Sequence, residues 1–202
     1  MSVEARPGRP PAGRQRNRIL DAAERLIGEG GCAATSIEAI VARAGVSTVT
    51  FYEHFADKEA CFVAALDRAV EEGAEALGAA AAAAGEAGGG WLDRARAALS
   101  ALLAAIETEP DRARLCLLEA PSGSPGLRAR YEAAVDRAAA ELRRGRLLDS
   151  APRDLPDTLE EAAVGSVAWL LRERLERGGA GEAEDLLEQV TEVALDPFRG
   201  RG

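Results

Sequence analysis

The sequence is poor in the side chains that most chemistry depends on. One histidine, His54, and one lysine, Lys58, stand among 202 residues, and the other 24 cationic side chains are arginine. A single imidazole excludes histidine-rich metal sites, and any Ser-His-Asp triad would have to use His54. Cysteine occurs three times, at positions 32, 61 and 116, with no CxxC pair and no even framework. A reduced, cytoplasmic compartment is the simplest expectation. There is no run of 18 apolar residues, so nothing is expected to span a membrane. The arginine-bearing start has no apolar stretch behind it and does not have the form of a secretory signal. Aromatic residues make up only 4%, and the Val-, Ile- and aromatic-rich runs that strands favour are missing. Neither a metal nor a cofactor is expected.

What is present is helix-forming. Alanine fills 44 of the 202 positions, followed by Leu, Arg and Glu, which points to an all-α fold. The length suits one or two domains with a core large enough to fold unaided. The formal charge of −9 argues at first against nucleic acid, because phosphate binding needs local positive charge. Its distribution removes that objection. Residues 1–60 hold eight basic and eight acidic side chains, whereas residues 61–202 hold seventeen and twenty-six.

Along the chain, residues 1–13 carry three prolines and two glycines among charged residues and read as a disordered basic arm. From Arg14 the pattern becomes periodic, with Ile19, Leu20, Ala23, Leu26 and Ile27 on one helical face and Gly30-Gly31 as its stop. Thr35-Ser36-Ile37-Glu38 has the form of a capping box, with Thr35 as the expected cap of a second helix. Gly45 suits a left-handed C-cap, and Ser47 can cap a third helix two residues on. Val46 and Phe51 have the spacing of a hydrophobic staple, and Asp57 can cap a fourth helix from Lys58. Three short helices, the last two joined by a tight glycine turn, form a helix-turn-helix arrangement over residues 14–56. Beyond the glycine-rich break at 85–90, apolar stripes predict helices from Trp91 to Pro110, over about 111–120, from about 126 to Gly145, over about 157–178 and over about 181–195. Pro121 to Pro125 reads as a loop.

The run from Thr35 to Ala60 strongly resembles the DNA-binding signature of the TetR/AcrR transcriptional regulators, through Ala-Gly-Val-Ser followed by Phe-Tyr-x-His-Phe-x-x-Lys-Glu. The match extends over about residues 14–65. It implies a helix-turn-helix DNA-binding domain at 14–60 and a helical effector-binding and dimerisation domain at 61–202. It further implies that Thr35 and Ser36 touch the phosphate backbone, that Ser47, Thr48, Val49 and Thr50 face the major groove, and that Tyr52, His54 and Lys58 hold phosphates. Short hydroxyl side chains let the backbone approach DNA closely, and Val49 can pack only on a thymine methyl or a sugar. Arg6, Arg9, Arg14, Arg16 and Arg18 are either a minor-groove arm or a solubilising tail.

The same resemblance implies a homodimer on double-stranded operator DNA, released by a small-molecule effector, and so a nucleoid-associated protein; the apolar pocket candidates named below suggest a hydrophobic effector, and no membrane contact is expected. Dimerisation places two recognition helices about 34–36 Å apart on a palindrome. The last two long helices would form the interface, with Ala163, Ser166, Leu170, Leu186, Leu187, Val190 and Ala194 as its candidates. Trp91, Leu99, Leu103, Ile106, Cys116, Leu117, Tyr131 and Trp169 are the candidates for the effector pocket. Enzymatic activity is not expected: Glu71-Glu72 and Glu160-Glu161 diverge on their helices, and no phosphate-binding glycine loop is present. The alternative is a helical interaction module that has lost specific DNA binding, because no arginine or lysine lies between residues 44 and 57.

Overall fold

The computed structural model describes residues 12–148, 155–156, 158–177 and 183–199, and every regular element among them is helical. Helix α1 (Ala12–Ala34) starts within the segment expected to be an arm; Arg6 and Arg9 lie outside the described residues. It buries Ile19, Leu20, Ala23 and Ile27, the stripe its spacing predicts. The glycine stop is realised as a break at Gly31, where φ is +80°. A side chain there would be strained, and its Cβ would stand 2.9 Å from Glu119 Oε1.

Helix α2 (Ile37–Ala44) is capped by Ser36, whose Oγ accepts the Ala39 amide at 3.2 Å. Thr35 is not the cap. It is buried, and its hydroxyl donates to the Gly31 carbonyl at 2.9 Å, satisfying an acceptor freed by the helix break. Gly45 ends α2 in the left-handed region (φ +62°), and its amide reaches back to the Ala42 and Val41 carbonyls. Ser47 caps α3 (Thr48–His54) through the Thr50 amide at 3.0 Å. Val46 and Phe51 enter the same apolar cluster, as a hydrophobic staple requires. Asp57 caps α4 (Lys58–Glu86) through the Ala60 amide at 2.7 Å.

The remaining elements are α5 (Trp91–Thr108), α6 (Pro110–Arg114), a π-helical turn (Leu115–Glu119), α7 (Ala120–Ser122), α8 (Pro125–Leu148), α9 (Leu159–Glu176), α10 (Ala183–Leu195) and a closing 3₁₀ turn (Asp196–Phe198). The loop expected from Pro121 is shorter than its prolines suggest, because Pro121 occupies the first turn of α7, where its missing amide costs nothing. Gly145 does not end its helix. It lies under Trp91, whose ring would be 2.8 Å from a Cβ at that position and whose indole N–H donates to the Leu142 carbonyl at 3.3 Å. Close helix packing, not termination, is the reason for that glycine.

Two apolar cores form. The first joins α1, α2 and α3 to the opening turns of α4 through Phe51, Phe55, Phe62 and Leu66, and takes in Leu115, Ala120 and Leu127 from further along the chain. Residues on both sides of position 60 therefore share this core. The second core collects Trp91, Leu103, Val167, Leu171, Val190 and Phe198. Between the two halves, the buried Glu24 carboxylate accepts from Arg68 of α4 at 2.7 Å and from Arg112 of α6 at 3.3 Å. Burial alone would lower Arg68, but Glu24 and Asp21 hold its guanidinium above its ordinary range.

Candidate nucleic-acid interface

The helix-turn-helix is buried where it meets the core and open on its far side. Phe51 is fully buried, in edge contact with Tyr52 at 5.5 Å between ring centres and tilted against Phe55 at 5.6 Å. On the opposite side of α3, Val49 is 71% exposed and Tyr52 55%. Ser36, Ser47 and Thr48 are exposed as well, and Thr50 is half-buried with its hydroxyl 3.0 Å from that of Ser47. Ser36, Ser47, Thr48, Val49 and Tyr52 are thus open to solvent, whereas Thr35 has its hydroxyl withdrawn into the fold.

The cations near this surface are mostly occupied. Arg43 of α2 forms a two-pronged pair with Glu29, at 2.5 and 2.9 Å. That pair holds Arg43 above and Glu29 below their ordinary ranges through its hydrogen bonds. The Lys58 ammonium donates to the Cys32 carbonyl at 3.4 Å and stands 5.6 Å from the centre of the Phe62 ring. Arg16 lies over Phe55 at 5.4 Å. His54 is half-buried, and its Nε2 has no hydrogen-bond partner among the described residues. Sequence reasoning missed the groups that lock the break at Gly31. Glu119, from the π-helical turn, accepts the Cys32 amide at 2.8 Å, so the far half of the chain holds the hinge that sets where α2 begins. Nothing in the spacing of residues 87 apart announces that contact.

The candidate effector residues do not converge. Trp91 and Leu103 are buried in the second core, with Leu99, Ile106 and Leu117 packed against it, whereas Cys116 and Tyr131 pack against the first. Trp169 belongs to neither; it is 61% exposed. The reason is helical phase: Ala163, Val167 and Leu171 turn one face of α9 inward, and Trp169 lies on the other. A cleft of about 300 Å³ lies between α4 and α8, lined by Asp67, Val70, Glu71, Arg130, Ala133, Ala134 and Arg137, and includes none of the expected residues. Burial pushes the thiols of Cys32, Cys61 and Cys116 up to about 12, which disfavours the thiolate form of each. Among the described residues no cluster of three His, Cys, Asp or Glu side chains could hold a metal, and no helix is long and apolar enough to cross a membrane.

Phase also divides the residues expected at a dimer face. Ala163, Leu186, Val190 and Ala194 are buried within this chain's own core. Ser166, Leu170 and Leu187 are partly exposed. An open apolar depression instead runs over Ala162, Gly165, Ser166, Trp169, Leu170 and Val193.

Comparison with known proteins agrees with this geometry. Residues 19–65 match the family of bacterial regulatory proteins of the tetR type. The whole fold is similar to that of a TetR-like transcriptional regulator from Rhodococcus sp. RHA1, with a TM-score of 0.74 and 23% identity over 96% of this chain and 100% of that one. It is also similar to the fatty acid degradation regulator FadR of Bacillus halodurans, at 0.78 and 15% over 97% and 100%. A third likeness is to FadR of Bacillus subtilis in complex with stearoyl-CoA, at 0.71 and 16% over 91% and 99%. No curated protein matches the sequence.

Proposed function

We propose that this chain, whose residues 19–65 form a TetR-family DNA-binding domain, is a ligand-responsive transcriptional repressor that binds a palindromic operator as a homodimer. The observation that carries this reading is the open face of α3, where Thr48, Val49 and Tyr52 project from a helix whose other side is anchored by Phe51. Ser36 and Tyr52 contact the backbone, with Lys58 joining them if its ammonium leaves the Cys32 carbonyl for a phosphate. An effector that favours the DNA-incompetent arrangement lowers operator affinity, and the operator lowers effector affinity by the same factor. Glu119 and the Glu24 cluster are the contacts through which the C-terminal half acts on the reader. The FadR likenesses and the apolar character of Leu99, Leu103, Ile106 and Leu117 favour an effector with an acyl chain.

The test is binding of labelled duplexes by fluorescence anisotropy across a salt series. Tyr52→Phe and Lys58→Ala should each weaken binding to every sequence alike, and Lys58→Ala should also lower the salt slope by about one, whereas loss of the uncharged Tyr52 hydroxyl leaves the slope unchanged. Unchanged affinity in both variants would refute the phosphate assignments. The dimer is tested separately by light scattering at micromolar concentration. The depression around Trp169 is the proposed interface, so the native chain should run as a dimer and Trp169→Arg as a monomer. A monomeric native chain rejects it.

A further inference from the structure

The operator reading above leaves open what α3 can recognise, and the exposed groups narrow it. At 71%, Val49 has the greatest exposure of the large apolar side chains described, and its position on the open face gives it no partner in the first core. A branched side chain is stiff at its first torsion, so it presents its two methyl groups in a fixed direction. The polar groups beside it are largely spoken for. Ser47 accepts the Thr50 amide, and its hydroxyl is also 3.0 Å from that of Thr50. No arginine or lysine lies between residues 44 and 57, Arg43 is held by Glu29, and Lys58 is directed at the Cys32 carbonyl. The paired hydrogen bonds that identify guanine require an arginine or lysine, and α3 supplies neither.

The single apolar group that base pairs display in the major groove is the C5-methyl of thymine. We infer that α3 selects its half-site by thymine methyl groups, with Val49 as the specificity-determining residue. Tyr52 and Thr48 are exposed beside it, both on one side of Val49 around the helix.

The experiment uses the full chain and a random duplex library. Once a sequence has been selected, each thymine is replaced singly by deoxyuridine, which pairs identically and lacks only the methyl group. At one thymine per half-site affinity should fall about fourfold, the factor carried by burial of one methyl-sized group, and about 15-fold when both half-sites are changed. Val49→Ala should bring the thymine-to-deoxyuridine ratio at that position close to one. Selection of a sequence in which no deoxyuridine matters, or a ratio that survives in Val49→Ala, overturns the inference while leaving DNA binding intact. Failure to select any sequence overturns the operator reading and this inference with it.

Discussion

Glu160→Ala should lower the stability of the protein by about 3–5 kcal/mol, the range seen when one partner of a buried ion pair is removed. Glu160 is completely buried at the start of α9, and Arg146 of α8 is 4% exposed with its Nε donating to Glu160 Oε1 at 2.6 Å. Arg143 adds a longer contact, 3.6 Å from its Nε to the other carboxylate oxygen. Alanine takes the negative charge away and leaves the Arg146 guanidinium in a nearly water-free site. The pair itself, however, need not stabilise the fold, because both charges lost their hydration when they were buried. Arg146→Met combined with Glu160→Leu should therefore lie within about 1 kcal/mol of the native chain or above it. Urea unfolding measures both, and a shift in midpoint at constant slope isolates stability from changes in the unfolded state. A single variant that loses less than about 1 kcal/mol would mean that water reaches the site.

Local signals were legible wherever a few neighbouring residues decide the outcome. Gly45, Ser47 and Asp57 each act through contacts within three or four residues, and the turn they define was readable from their order alone. Thr35 misled because two hydroxyls stand side by side, and the choice between them depends on a carbonyl released by the break at Gly31. The C-terminal half was harder for a related reason. Its helices carry wide apolar faces, and a wide stripe does not say which edge meets the chain's own core and which is left over. Val190 and Ala194 therefore read as candidates for a partner although both are buried, while Val193, which was not among the candidates, is 44% exposed. Gly145 shows the same ambiguity in one residue, since a glycine that ends a helix and a glycine that admits an indole ring have the same letter. The Glu119 contact to Cys32 joins elements far apart in sequence, and no pattern within either of them encodes it.

The helix-turn-helix should be the first part of the molecule to fail when Phe51 is lost. Phe51 is 0% exposed, and its ring lies against both Phe55 and Tyr52, so Phe51→Ala opens a cavity where α1, α2 and α3 meet. A cost of about 3–5 kcal/mol is expected for a phenylalanine in such a position. Helices of seven and eight residues cannot persist alone, so α2 and α3 depend on this contact for their existence. The C-terminal half does not depend on it to the same degree, because its own core is built around Trp91 and Phe198, whose rings meet 5.2 Å apart. Both tryptophans lie in that half, so their fluorescence reports it alone. In Phe51→Ala the loss of helical circular dichroism should therefore begin at lower urea than the change in tryptophan emission, and DNA binding should disappear with the first step. Phe51→Leu, which keeps an apolar side chain of comparable reach, should cost less and restore most of the binding. A single coincident transition at the native midpoint for Phe51→Ala would contradict the anchoring role. Should the two probes separate, the face bearing Val49 and Tyr52 owes its rigidity to the ring on the opposite side of the same helix.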